Sequence, residues 1–328
     1  MTRRGEPPIL RHPVLAWVDG RLVDARRPAL AVTDRGFQLG DGLFETLRVR
    51  RGVPIEWEEH HGRLVDGASL LQLRLPAEGE LLAGVRALLD AEHLSGVGDE
   101  TFAPGDASVR ITVSRGALDA RGTLPPGWAT ASATVVIQAW TFTPPPDALL
   151  ARGIRAITSQ VVREPGSPLA GVKTTSRADS VFARLEAERA GANDAIYPAP
   201  DGSLAEGTSA NLFALSGDRL VTPPIETGIL VGTTRTWLLV DGGRAAGLAP
   251  EERRLQAADL LAADEAFLCS SVAGIVPLVS LDGRPIGDGR PGHRTGQLRA
   301  ARERWIDERS LEGLTSAAGV TPAAGGPG

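Results

Sequence analysis

The chain has 328 residues, 42% hydrophobic and 23% charged, which is the make-up of an ordinary globular protein with room for two modest domains. Its 35 Lys plus Arg against 40 Asp plus Glu leave a net charge of -5, which argues against a nucleic-acid partner. One cysteine, Cys269, excludes an internal disulfide framework; with no apolar run of membrane-spanning length and no apolar signal core near the start, a cytoplasmic protein with no membrane partner is expected.

Residues 1–13 are polar and proline-bearing and are expected to form a flexible tail. Residues 14–18, the Asp19-Gly20 turn and residues 21–23 read as a hairpin. Residues 31–50 end in an alternation that predicts a strand, turned at Arg51-Gly52. Within them Gly40-Asp41-Gly42 lets backbone pass close to something, although a tight turn alone would explain it. The spacing of His60, Leu64, Ala68 and Leu71 predicts a helix over 57–73, with Arg63 near its start. His60 and His61 point to different sides of such a helix and no third ligand cluster accompanies them, so no metal is expected. A second helix over 80–92 precedes a Gly/Asp-rich loop at 95–105. Residues 109–113 read as a strand, 114–126 as a loop carrying Arg115 and Arg121, and 134–140 as a β-branched strand. The Thr143-Pro-Pro-Pro-Asp run is a stiff connector. It divides a small α/β domain, 14–143, from a larger one, 153–310, through a linker at 144–152, and a Gly/Ala/Pro-rich tail, 311–328, is expected to be disordered.

Residues 154–162 read as a strand leading to Lys173. The chain holds 34 Arg and this single Lys, so ordinary surface and ion-pair duty has gone to Arg. Arg stays protonated, whereas a Lys amine loses its proton readily when buried and can form a Schiff base. The alternative is an ordinary surface lysine. Thr174-Thr175-Ser176 offers N-caps, and Ala178, Val181, Phe182 and Leu185 recur at helical spacing, predicting a helix to about Gly191. Residues 194–198 read as a strand, Asp201-Gly202 as a hairpin turn, and 203–215 as the return strand carrying Glu206. A lysine entering a helix and a carboxylate on the following hairpin can face each other across one pocket. Pyridoxal phosphate needs that pair, an amine for the Schiff base and an anion to keep its ring nitrogen protonated. Gly232-Thr233-Thr234 opens a predicted helix over 234–242 whose first amides suit a phosphate, though such a start alone is usually a cap. A buried strand from Glu265 then leads to the hydroxyl pair Ser270 and Ser271, and 291–306 predicts a last helix.

Three ordered blocks carry a resemblance: Lys173 with Glu-Ala-Glu-Arg-Ala-Gly-Ala-Asn-Asp-Ala-Ile at 186–196, Leu-Ala-Glu-Gly-Thr-Ser-Ala-Asn-Leu-Phe at 204–213, and Gly-Ile-Leu-Val-Gly-Thr-Thr-Arg at 228–235. Over roughly 14–290 the chain resembles the class IV aminotransferases, the fold-type IV pyridoxal-phosphate enzymes. These include branched-chain aminotransferases, D-amino-acid aminotransferases and 4-amino-4-deoxychorismate lyases. The Asp-Arg-Gly-x-Gln-x-Gly-Asp-Gly run ending at Gly42 looks like the lyase and D-amino-acid branches. The resemblance implies a two-domain α/β (α+β) fold with pyridoxal 5'-phosphate at the domain interface, and a homodimer. It implies Lys173 as the Schiff-base amine and proton carrier and Glu206 at the ring nitrogen. It places Arg63, Thr233, Thr234 and Ser271, with Ser270 beside it, at the phosphate. For the substrate it points to Arg121, or Arg115, with Phe44; their loop is one residue longer than the family pattern, and Thr123 stands where D-amino-acid enzymes carry histidine. Either arginine could equally be a surface residue. The expected reaction moves an amino group from an amino acid or amine to a 2-oxo acid. The alternative is elimination of pyruvate from 4-amino-4-deoxychorismate to give 4-aminobenzoate. A non-catalytic binding protein on this scaffold is disfavoured by retention of both Lys173 and Glu206.

Overall fold

The computed structural model describes residues 14–94 and 106–318; the expected tail at 1–13, the loop at 95–105 and residues 319–328 lie outside the described residues. The first half forms a six-stranded antiparallel sheet from β1 (Leu15–Val18), β2 (Arg21–Asp24), β3 (Gly42–Arg50), β4 (Val53–Pro54), β5 (Ala107–Ser114) and β6 (Thr134–Thr141), in the order β2-β1-β6-β5-β3-β4. The short helix α1 (Arg35–Leu39) precedes β3, and α2 (Trp57–Leu71) and α3 (Glu78–Ala91) follow β4. Alternation in β5 turns Ala107, Val109, Ile111 and Val113 inward, where they meet Leu47 and Val49 of β3 and Leu81, Val85 and Leu88 of α3. Fully burying aliphatic side chains of this kind stabilises the fold by roughly 1.5–3 kcal/mol each before the entropy of ordering them is counted.

The second half, after α4 (Asp147–Arg152), builds a mixed sheet from β7 (Ile154–Thr158), β8 (Asp194–Pro198), β9 (Leu204–Gly207), β10 (Asn211–Ser216), β11 (Arg219–Thr222), β12 (Ala249–Glu252), β13 (Glu265–Ser270), β14 (Gly274–Leu281) and β15 (Arg284–Pro285). Its order is β12-β11-β10-β13-β14-β7-β8-β9, with β15 beside β14. The parallel pair β7 and β8 is bridged by α5 (Ala178–Arg189). Then come α6 (Thr233–Trp237), a π turn at Leu238–Gly242, α7 (Gly243–Ala245), α8 (Ala257–Leu261) and the long α9 (His293–Ala318). The second half has its own apolar clusters, including Ile196, Leu212, Leu268 and Leu281.

Several expectations need correction. The linker at 144–152 contains a helix that was not expected, α4. The return strand expected at 203–215 is two strands; Gly207 N–H donates to Ala210 O at 2.8 Å, so Thr208, Ser209 and Ala210 leave the ladder as a tight turn. The helix expected at 234–242 switches to a π turn after Trp237. Residues 311–318, expected within a disordered tail, are the last turns of α9. That helix is held against the first sheet: Asp307 accepts from Arg50 and Arg51, and a Cβ on Gly313 would stand 2.6 Å from Val53 Cγ1. Thr174, Thr175 and Ser176 do not cap α5; its cap position is Arg177, without a side-chain cap bond. The apolar stripe of α5 also faces outward. Val181, Phe182 and Leu185 are exposed, while the small Ser180, Ala183 and Ala187 pack inward.

Candidate active site

Lys173 lies where the two halves are stitched together. Phe44 N–H donates to Lys173 O at 3.0 Å, Thr175 N–H to Gly42 O at 2.9 Å, and Leu43 bridges Thr174, so the lysine segment runs antiparallel to the start of β3. Glycines at 40 and 42 permit this approach: a Cβ on Gly40 would stand 2.4 Å from Ser176 Oγ, and one on Gly42 3.2 Å from Thr175 Oγ1. Gly40 also closes α1 in the left-handed region, at φ 66°.

The Lys173 side chain reaches into a cavity shared by Arg63, Glu206, Thr233, Thr234, Ser270 and Ser271. Burial lowers its amine from the ordinary 10.5 to about 8, with Glu45 and Glu206 opposing and Arg63 and Arg177 adding to the depression. At pH 7 about a tenth of such an amine is unprotonated, against less than about a thousandth for an ordinary lysine. Nζ stands 4.7 Å from the centroid of the Phe44 ring, which lines an adjoining hollow together with Lys173, Ser270 and Ser271.

Glu206 comes from β9 and is 5% exposed. Its Oε1 accepts from Arg163 Nη2 at 2.8 Å and Nε at 3.1 Å; its Oε2 accepts from Leu230 N–H at 3.1 Å and Asn211 Nδ2 at 3.4 Å. Burial pushes the carboxyl above its ordinary value, and Arg163 is the main opposing influence. The Arg163 guanidinium lies over Tyr197, 4.4 Å from the ring centroid.

At another part of the cavity wall, Thr233 and Thr234 open α6. Thr233 Oγ1 donates to Glu56 Oε2 at 2.7 Å and contacts Ser271 Oγ at 3.4 Å. Thr234 Oγ1 is buried and has no hydrogen-bond partner, an uncompensated donor that a bound anion would satisfy. Ser270 Oγ accepts from Ala273 N–H at 3.2 Å, which leaves its proton free to donate elsewhere. Arg63 holds Glu45 with two bonds, Nε to Oε1 at 2.7 Å and Nη2 to Oε2 at 2.6 Å, and Nη1 donates to Val231 O at 2.7 Å. Burial alone would raise Glu45, but Arg63 and His60 hold it at about 2, so it is a firm anion that fixes the guanidinium. The five guanidinium N–H groups are not exhausted by these contacts, and Arg63 still lines the cavity. An amine, a buried carboxylate, an arginine and an orphaned hydroxyl on one cavity fit the demands of pyridoxal 5'-phosphate.

The candidate substrate arginines fall elsewhere. Arg115 is 6% exposed and committed to structure: Nε and Nη2 donate to Asp41 at 2.8 and 3.0 Å, Nη2 also to Leu71 O, and Nη1 to Gln72 O. Arg35 donates to the same carboxylate at 2.8 Å, so Asp41 is a two-arginine clasp. A substrate role for Arg115 is therefore withdrawn, because its donors are taken within the fold. Arg121 is exposed on its loop and is not among the residues lining the Lys173 cavity.

Sequence reasoning did not single out Glu45, Arg163, Arg177, Asn211 or Arg110. Glu45 carried a usable signal, a charge at an inward position among Leu43, Leu47 and Val49. Asn211 sits inside the second motif block. The arginines carried none, since nothing local separates them from the other members of a set of 34.

Comparison with known proteins points to one family. The family model for amino-transferase class IV matches residues 42–281. A protein of Methanocaldococcus jannaschii provisionally named a branched-chain-amino-acid aminotransferase is 33% identical over 91% of this chain and 97% of its own length. The D-alanine aminotransferase of Bacillus licheniformis is 30% identical over 88% and 95%. The structure of a T.th. branched-chain amino acid aminotransferase with pyridoxamine 5'-phosphate superposes with a TM-score of 0.80 at 25% identity, covering 90% of this chain and 94% of that one. The chain belongs to the class IV aminotransferases, pyridoxal-phosphate-dependent transferases of fold type IV.

Proposed function

We propose that this protein binds pyridoxal 5'-phosphate in the Lys173 cavity and moves an amino group from an amino acid to a 2-oxo acid. The observation that carries the reading is the convergence of the chain's one lysine amine and the buried Glu206 carboxylate on a cavity that also holds the orphaned Thr234 hydroxyl. Thr234, Ser271, Ser270 and the spare donors of Arg63 would hold the phosphate. Thr233 would contribute through its backbone N–H, because its hydroxyl proton is given to Glu56. When bound, the cofactor supplies a carbonyl carbon that exchanges amines and a ring that accepts the electron pair left as the substrate loses its Cα proton. Lys173, with its amine near 8, takes the Cα proton as general base and returns it as general acid. Glu206 would hold the proton at the ring nitrogen, and the Arg163 charge beside it favours its ionised form against burial.

The two sheets, each with its own apolar cluster, support reading residues 14–143 and 153–310 as two domains with the cofactor between them. The exposed apolar side chains of α5, together with Phe37 of α1 at 76% exposure, support a homodimer.

Purified protein loaded with cofactor should move the amino group of alanine or glutamate to pyruvate or 2-oxoglutarate. Release of pyruvate from 4-amino-4-deoxychorismate without amino transfer would contradict the reading.

A further inference from the structure

The helix α9 reaches the back of the Lys173 cavity through one arginine. Arg302 is 1% exposed, and its Nη2 donates to Glu56 Oε2 at 2.5 Å. The same Glu56 oxygen accepts from Thr233 Oγ1 at 2.7 Å. The Glu56 side chain is itself buried, so the pair is shielded from bulk water. The Arg302 Cζ stands 5.1 Å from the ring centroid of Trp237 and 4.4 Å from that of Trp305. Thr233 is the first residue of α6 and Trp237 its last. One guanidinium therefore touches α6 at its far end by stacking and at its cavity end through a carboxylate. A carboxylate so near a phosphate site would repel the ligand unless a cation cancelled it, and Arg302 supplies that charge. What Glu56 adds is orientation. A hydroxyl has one proton, and the Thr233 proton is committed to Glu56. In the 3.4 Å contact between Thr233 Oγ1 and Ser271 Oγ, Thr233 is then the acceptor. Next to it the buried Thr234 Oγ1 stands without a partner.

We propose that Arg302 is a positioning residue of the cofactor phosphate site: through Glu56 it fixes Thr233, and through Trp237 it fixes the other end of α6, so that Thr234 and Ser271 meet the phosphate in one arrangement. This inference rests on the reading that the Lys173 cavity holds pyridoxal 5'-phosphate. It makes α9 part of the cofactor site, although none of its described residues lines the cavity. The competing role is plain docking of α9 onto the fold. Loss of docking alone would harm every ligand of the cavity alike, whereas loss of positioning falls on the phosphate.

The test titrates the full chain with pyridoxal 5'-phosphate and, separately, with pyridoxal, which keeps the ring and the aldehyde and lacks the phosphate. Dissociation constants are read from the visible absorbance and need no turnover. Arg302→Met keeps an apolar stem between the two tryptophan rings and removes the fork. Glu56→Asp keeps the charge and suits the left-handed backbone at that position, φ 57°, but falls one methylene short of reaching Thr233 and Arg302 together. Each variant should weaken pyridoxal 5'-phosphate by about 10-fold or more, the scale of one hydrogen bond to a charged group, and pyridoxal by less than ~3-fold. Arg302→Lys, a charge without the planar fork, should recover part of the loss. In the double variant the effects of Arg302→Met and Glu56→Asp should be less than additive, because both act on Thr233. Glu56→Asp leaves the α9 packing intact, so it decides the matter alone should Arg302→Met fail to fold. Equal weakening of the two ligands, no weakening of either, or additive effects would overturn the positioning role. A wild-type chain that binds pyridoxal 5'-phosphate no better than pyridoxal would overturn the cofactor reading along with it.

Discussion

Glu206 illustrates how single residues divide the work. Burial alone favours its neutral form, yet a neutral acid could not hold a proton at the cofactor ring nitrogen. Arg163 opposes that effect by giving two hydrogen bonds to Oε1, leaving Oε2 to Leu230 N–H and Asn211. Glu206→Gln should therefore keep cofactor while lowering turnover by at least ~100-fold, the low end of proton-positioning effects. Arg163→Met should act differently, through Glu206. With the guanidinium gone the carboxyl pKa rises further, and a group that works ionised is then lost at a higher pH as the solution is acidified. The acid limb of kcat/KM should move to higher pH in Arg163→Met; an unmoved limb, measured beside wild type, would reduce Arg163 to a packing role. Lys173 and Glu206 were legible in the sequence because one was a unique amine and the other sat in a motif. Arg163 was not, because its meaning depends on Glu206, 43 residues away in the chain. The structural role of Arg115 was hidden for the same reason: its partner Asp41 is 74 residues distant.

At the scale of elements, periodicity located α5 and left its inner face undecided. Val181, Phe182 and Leu185 recur at helical spacing, and they are 59%, 45% and 46% exposed. The inner face is Ser180, Ala183 and Ala187, where Ser180 Oγ accepts from the Tyr197 hydroxyl of β8 at 2.9 Å. Small residues let the helix lie close to the sheet, and periodicity alone does not say which stripe is inside. The outward stripe begins beside Arg177, next to the Lys173 hollow. In the proposed dimer it meets a second copy. Val181→Asp with Leu185→Asp should then give a folded monomer by sedimentation equilibrium, where wild type sediments as a dimer. A wild-type monomer, or a double variant that stays dimeric, would remove α5 from the interface. Strand content was read well where alternation was regular, as in β5, and poorly at 203–215, where the turn at 208–210, Thr-Ser-Ala, contains neither Gly nor Pro to mark it.

Across the whole molecule, arginine takes over the charged tasks. Arg48 and Glu303, Arg50 and Asp307, and Arg302 and Glu56 tie α9 to the first sheet and its β4–α2 junction. Arg302, 1% exposed and packed between Trp237 and Trp305, passes that tie on to the phosphate side of the cavity, since Glu56 also accepts from Thr233. Against 34 arginines the molecule keeps one lysine, and its position in the cavity is the centre of the account. Borohydride reduction of the cofactor-loaded protein, followed by intact mass and peptide mapping, tests this most directly. A single covalent cofactor adduct is expected, located at Lys173 and absent from Lys173→Ala. An adduct of equal yield in the alanine variant, carried by the terminal amine, would contradict it.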